Sequence, residues 1–186
     1  LDMATGLTRA MAAYDKFGLY NFNVSIFPGR KNDRHMRLHV VFSPRFYFNP
    51  SLGTPDAAAL RTVLDAGPDV LNHNIETVAR LYPHVRPQAV YQRSLELLES
   101  VSRHRPAIPP KSGLMVGLGE TLQEIRQTLL DLHQSGCRYL TIGQYLQPSQ
   151  KHLPVERFIP PEEFEELKRT AFQMGFSQVA SGPFLR

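Results

Sequence analysis

The apolar and polar positions divide the chain into two stretches of different rhythm. Up to about Pro55, aromatic and β-branched residues are interrupted by turn formers. Asn21 to Phe27 alternates polar and apolar side chains, the period of a half-buried strand, and Pro28-Gly29 breaks it. Arg37 to Phe42 predicts a second strand ended by Ser43-Pro44, and Phe46-Tyr47-Phe48 a third stopped by Asn49-Pro50, all within antiparallel β structure. From Ala57 the rhythm changes to short apolar runs separated by amphipathic helices. Asp69 to Asn74 predicts a short strand, and Tyr91, Leu95, Leu98 and Val101 form an apolar stripe at helical spacing. Lys111 to Gly119 is apolar almost throughout, as expected of a strand covered on both faces.

Thr121 with Glu124 predicts a capping box, in which each residue satisfies a free backbone N–H at a helix start. Leu122, Ile125, Leu129 and Leu132 are the expected buried face of that helix, and Gly136 its stop. Tyr139 to Leu146 predicts a further strand. Pro160-Pro161-Glu162-Glu163 opens a last helix with Phe164, Leu167, Ala171 and Met174 inward and Gly175 at its end, and Gln178 to Ala180 predicts a final strand. This β-α-β-α-β alternation implies a parallel sheet with right-handed crossovers. So few βα units cannot close a barrel, so the expected fold is α/β, a partial barrel preceded by a small β-rich segment. The domain division expected is 1–56 and 57–186.

Composition adds limits. The chain has 186 residues, 42% of them hydrophobic, enough for a sizeable core. Nothing in it is long and apolar enough to span a bilayer as a helix, and no basic-then-apolar start resembles a signal peptide, so a cytoplasmic location is expected and no membrane partner. The net charge of +4 is dispersed, and the pairs Arg30-Lys31 and Lys168-Arg169 are too short for a nucleic-acid stripe. The single cysteine, Cys137, excludes an internal disulfide, a Cys-ligated zinc site and a three-cysteine iron–sulfur site built from this chain's own thiols; it reads as a small core residue.

In parallel α/β sheets ligands bind beyond the carboxyl ends of the strands. The first such end is Asn72-His73-Asn74-Ile75-Glu76-Thr77, where Asn74 and Glu76 alternate to one side and could bond a ribose diol or an amino group; a polar turn capped by Asn74 or Thr77 is the plainer reading. The second is Gly113-Leu114-Met115-Val116-Gly117-Leu118-Gly119-Glu120, whose small residues permit close approach to the backbone. It lacks the Gly-Lys-Ser/Thr of a phosphate loop, with Lys111 preceding the glycines, and fits Gly-x-Ile-x-Gly-x-x-Glu with Met115 in the Ile position. At the third, Gln144 and Gln147 suit a base edge or, equally, local backbone.

Taken together, Asn72–Pro87, Lys111–Glu120, Leu140–Val155 and Val179–Pro183 resemble lipoyl synthases in order and spacing, over about two-thirds of the chain. The resemblance implies a radical S-adenosylmethionine enzyme that inserts sulfur at C6 and C8 of an octanoyl group. That group is carried by a 2-oxoacid dehydrogenase E2 lipoyl domain or a glycine cleavage H protein. It implies a partial (β/α)6 barrel of which this chain supplies the last strands, and two [4Fe–4S] clusters. By position, Asn74 and Glu76 would hold the ribose or methionyl part of S-adenosylmethionine, and Lys111 its carboxylate. Gly113 and Gly117 would admit the ligand to the backbone, and Gln144 and Leu146 would border the adenine.

The departures from that family are as informative. Its Cys-x3-Cys-x2-Cys motif and second cysteine trio are missing, and the sequence stops at Arg186, short of a cluster-ligating serine. With Leu1 as first residue, the expectation is a fragment or fused gene product, inactive alone, and the alternative a non-catalytic remnant that binds S-adenosylmethionine or a lipoyl domain. Tyr20–Phe27, His39–Arg45 and Gly53–Asp56 are similar to the C-terminal part of galactose-1-phosphate uridylyltransferase-like proteins. Their nucleophilic His-x-His is missing, since His35 and His39 are four apart, so no uridylyl transfer is inferred.

Overall fold

The computed structural model describes residues 22–27, 39–44 and 57–185. The chain divides into two compact units, Leu1–Thr54 and Pro55–Arg186. In the first, β1 (Phe22–Phe27) and β2 (His39–Pro44) pair antiparallel, from Phe22 opposite Pro44 to Phe27 opposite His39. The second strand therefore starts and ends two residues later than its sequence suggests. Pro44 is accommodated because it closes the ladder rather than interrupting it. The strand expected at Phe46-Tyr47-Phe48 lies outside the described residues.

The second unit runs α1 (Ala57–Asp65), β3 (Leu71–Asn72), a 3-10 turn (Ala79–Leu81), α2 (Tyr82–Val85), α3 (Tyr91–His104), β4 (Pro110–Val116), α4 (Leu122–Gln134), β5 (Tyr139–Gln144), α5 (Pro161–Gln173) and β6 (Gln178–Gly182). The sheet order is β3-β4-β5-β6, and every pairing is parallel. When neighbours in sequence are neighbours in the sheet, crossovers of one hand put every connecting helix on the same side. This is an α/β fold of the kind that makes part of a barrel: one face lies under helices, and among the described residues of this unit no helix covers the other.

The core records that asymmetry. Leu114, Val116, Leu140 and Ile142 on the helix side pack with Leu98 of α3, Leu129 and Leu132 of α4, and Phe164, Leu167 and Ala171 of α5. A smaller cluster of Leu64, Leu71, Val101 and Ile108 lies beneath α1. Cys137 is fully buried, with its thiol bonded to the carbonyls of Tyr139 (3.2 Å) and Pro110 (3.5 Å) and its pKa pushed up to about 12 by burial.

The capping box forms: Glu124 N–H donates to Thr121 Oγ1 (3.2 Å), and Thr121 N–H donates to Glu124 Oε2 (2.8 Å). Leu122, expected inward, is instead 48% exposed, and Thr128 takes a buried place on that face. The helix begins at the rim of the sheet, and a first-turn side chain leans back toward the helix start, past the edge of the core. The strands are also shorter than their apolar runs. β4 stops at Val116 because Gly117 turns at φ +103°, and β3 is short because the chain leaves the ladder after His73 and rejoins β4 only at Glu76 (φ +69°), in an isolated bridge to Leu114.

Gly136 closes the turn after α4 at φ +85°, where an added Cβ would lie 2.0 Å from Ser102 Oγ and 2.6 Å from its Cβ. Gly136→Ala is expected to cost about 2–3 kcal/mol from combined backbone strain and overpacking. Urea unfolding checks this against Ser135→Ala, which loses one hydrogen bond to the Asp131 carbonyl and should cost about 1 kcal/mol or less.

Candidate functional site at the carboxyl ends of the strands

Successive side chains of a strand point to opposite faces, so the register assigns each residue a side. On the side away from the helices the rows climb toward the carboxyl ends. The first holds Asn72, Lys111, Tyr139 and Gln178; the second Gly113, Thr141 and Ala180; the third Met115, Gly143 and Gly182. Polar groups form the lowest row and small ones most of the upper two. A face built to be filled by its own core would carry bulky branched side chains instead. These rows carry little side-chain bulk of their own.

Asn74 joins this face. Its side chain rests on Gly113 so closely that a Cβ there would meet Asn74 Oδ1 at 2.8 Å. Glu76 is the one non-glycine residue with positive φ among the described residues. Its N–H donates to the Gly113 carbonyl (2.9 Å), and its own carbonyl accepts from Met115 N–H (2.8 Å). Those two bonds to β4 hold a conformation that costs on the order of 1–3 kcal/mol. Ser112, on the helix side, accepts from Ile75 N–H (3.1 Å) and fills the gap in the ladder. Lys111 is half-buried one row below Gly113 and enters no ion pair among the described residues.

Gly117 lies at the top of β4, where Glu120 folds back to accept from the N–H groups of Gly117 and Leu118 (2.8 Å to Leu118). The glutamate of the Gly-x-Ile-x-Gly-x-x-Glu pattern thereby holds the glycine turn in place. Gln144 falls in the helix-side row, opposite Val116, and is engaged by backbone on all sides. Its Nε2 donates to the carbonyls of Tyr145 (3.0 Å) and Arg157 (3.1 Å), and its Oε1 accepts from Ile159 N–H (2.8 Å). Leu146 stands 58% exposed just beyond. The structure thus rests Asn74 on Gly113, bonds the Glu76 backbone to Gly113 and Met115, leaves Lys111 one row below, and sets Gly117, Gln144 and Leu146 around the turn and loop at the rim.

Two arginines that local sequence does not single out brace the same end. Arg86 Nη1 donates to the Asn74 carbonyl (3.0 Å) and to Tyr82 Oη (2.8 Å), whose hydroxyl shares a 2.7 Å bond with Ser94 Oγ. Arg80 grips Glu124 (Nε to Oε1, 2.6 Å) and the Gly119 carbonyl (2.9 Å). The Arg80 guanidinium, with the backbone bond at Thr121, holds the Glu124 carboxyl down to about 2. These links span 39 to 44 residues for Arg80, so no local pattern announces them.

Sequence comparison supports the family reading. The chain is 57% identical over 130 residues to a lipoyl synthase of Acidithiobacillus ferrooxidans, covering 70% of this chain and 41% of that protein. It is 56% identical over 128 residues to the lipoyl synthases of Aliivibrio fischeri and Vibrio cholerae, covering 69% of this chain and 40% of each. No protein-family model matches the chain. The chain is thus similar to these lipoyl synthases over about two-thirds of its own length. The chain spans about two-fifths of the length of the curated relatives it matches.

His73 lies between Asn72 and Asn74 with Nε2 buried and without a hydrogen-bond partner. Burial, and secondarily the Arg86 cation, lower its pKa from 6.5 to about 4. The unfolded chain takes up this proton near pH 6.5, whereas the folded chain refuses it until about pH 4. Stability should therefore fall as the pH drops through that window. Urea unfolding at pH 7, 6 and 5 is expected to show a slope that His73→Gln reduces; an unchanged slope in the variant would remove His73 as its source.

Proposed function

We propose that residues 57–186 serve as the S-adenosylmethionine-binding C-terminal part of a lipoyl synthase. The reaction is radical sulfur insertion at C6 and C8 of a protein-bound octanoyl group. The observation that carries this is the pair of small-residue rows on the sheet face away from the helices, with the Asn74 side chain resting on Gly113. A nucleoside lying along Thr141 and Gly143 would meet the Asn74 side chain where it rests on Gly113. In this reading Asn74 and Glu76 take the ribose hydroxyls or the methionyl amino group, Lys111 takes the carboxylate, Gly113 and Gly117 admit the ligand to the backbone, and Leu146 borders the adenine. The strained Glu76 backbone fixes where its carboxylate starts, which limits the ordering cost of binding. Walls of protein around the ligand exclude water from a reactive intermediate.

When bound and reductively cleaved, S-adenosylmethionine supplies a carbon radical able to break an unactivated C–H bond. The iron–sulfur clusters that drive this in the family do not fit the residues of this chain. Its single cysteine is buried, its thiol is committed to two carbonyls, and its pKa is held up at about 12. No step is therefore assigned to a cluster here, and the chain by itself is inactive in sulfur insertion. The acyl-carrier partner, an E2 lipoyl domain or H protein, and a cytoplasmic setting follow from the same family reading. No helix among the described residues is long and apolar enough to cross a membrane.

Titration calorimetry of the chain with S-adenosylmethionine tests the reading. Binding is expected; Asn74→Ala should weaken it by about tenfold, the equivalent of one or two lost hydrogen bonds, and Gly113→Ala should weaken it by pushing the Asn74 side chain away, since its Cβ would lie 2.8 Å from Asn74 Oδ1. Melting temperatures should stay close to that of the unsubstituted chain. No heat of binding would leave the unit without the function assigned to it. Anaerobic reconstitution with iron and sulfide should give no [4Fe–4S] absorbance, and its appearance would overturn the claim of incompetence.

A further inference from the structure

Between β5 and α5 the chain runs 16 residues, Tyr145 to Pro160, without a helix or strand. Segments of this length inside a compact unit are uncommon and are often functional. This one is tied down at its base and open at its tip. Residues 146–152 are all exposed. At the base, the Gly117 carbonyl accepts from the N–H groups of Glu156 (2.9 Å) and Arg157 (3.3 Å), and Tyr145 N–H donates to the Val116 carbonyl (2.8 Å). Tyr145 Oη donates to the Leu153 carbonyl (2.8 Å), joining the outgoing and returning limbs. Arg157 forks onto Glu163 at the start of α5. The segment is thus a strap that leaves the end of β5 and returns across the end of β4, on the rim above the small-residue rows.

Gln144 sits at the crossing of the two limbs. Its amide donates to Tyr145 on the outgoing limb and to Arg157 on the returning one, and accepts from Ile159 two residues later. Nε2 has two hydrogens and both are used. Its amide nitrogen lies 2.3 Å from where a Cβ on Gly117 would be, so the bare turn and the glutamine fit only together. The side chain is 9% exposed and belongs to the helix-side row, so it has neither a free donor nor an open path toward the ligand face.

We propose that Gln144 is a positioning residue: a clamp that closes the 145–160 strap over the carboxyl ends of β4 and β5, so that the strap forms one wall of the ligand site. It affects binding through the strap and not by touching the ligand. The inference rests on the binding role proposed above for this face. If the strap stands closed only part of the time, apparent affinity falls by that fraction while the ligand's own contacts are untouched.

Gln144→Glu keeps the acceptor for Ile159 but sets a carboxylate against two carbonyls. Gln144→Met keeps the length and removes all three bonds without adding charge, and it serves if the glutamate variant does not fold. Tyr91→Phe, which loses a bond to Asp131 on the outer helices, is the control for general loss of stability. Hydrogen exchange and calorimetry with S-adenosylmethionine are read on the same full-length samples. The expected result is faster exchange across 145–160 in the Gln144 variants, unchanged exchange in α3 and α4, and about tenfold weaker binding, matching a strap closed roughly a tenth of the time. Tyr91→Phe should leave affinity unchanged. Weaker binding with normal strap exchange would overturn the proposal in favour of direct contact. Faster exchange with normal affinity would overturn it by showing that the strap is not a wall. If the unsubstituted chain binds no S-adenosylmethionine, the reading of the face fails, and with it the wall; the exchange data then report separately whether Gln144 holds the strap.

Discussion

Parallel strands laid down in sequence order, with crossovers of a single hand, cannot bury both faces of their sheet with their own helices. The order β3-β4-β5-β6 imposes this on the second unit. α3, α4 and α5 cover the side of Leu114, Leu140 and Ile142, and the hydrophobic gain of the unit is concentrated there. The other side is released from that demand, so it can carry Asn72, Lys111, Gly113 and Thr141, residues that would weaken a core. Stability and chemistry are separated by the thickness of one sheet, and alternation along each strand assigns every residue to one or the other.

The boundary between the two is sharpest at the carboxyl ends. Glu76 holds a left-handed backbone between two hydrogen bonds to β4, and Gly117 turns away immediately after the last buried valine. Neither conformation is comfortable alone, since one has a side chain that disfavours it and the other presents unpaired backbone groups. β4 supplies the restraint in the first case. The Glu120 carboxylate and the returning strap supply it in the second. The rim is therefore assembled from mutually dependent parts, with Arg80 and Arg86 fastening the segments that precede it.

Cys137 shows why a residue type does not by itself carry chemistry. A thiol can ligate a metal only as an exposed or exposable thiolate. Here burial holds the proton on, and the side chain acts as a small apolar filler between α4 and β5.

The amino-acid sequence alone determined the alternation of strands and helices, the capping box at Thr121 and Glu124, the apolar stripes of α3 and α5, and the family likeness. These depend on residues within a few positions of each other, or on order along the chain. It could not say where β3 and β4 end, because an apolar run continues past the point where a kink or a glycine turn takes the backbone out of the ladder. Nor could it place Leu122 at the rim, which depends on where the sheet stops. It left Gln144 suited to a base edge or to local backbone. Tertiary structure gave its amide to Tyr145, Arg157 and Ile159, since a side chain's hydrogen bonds go to whatever the fold brings within about 3 Å, and two of those partners are 13 and 15 residues away.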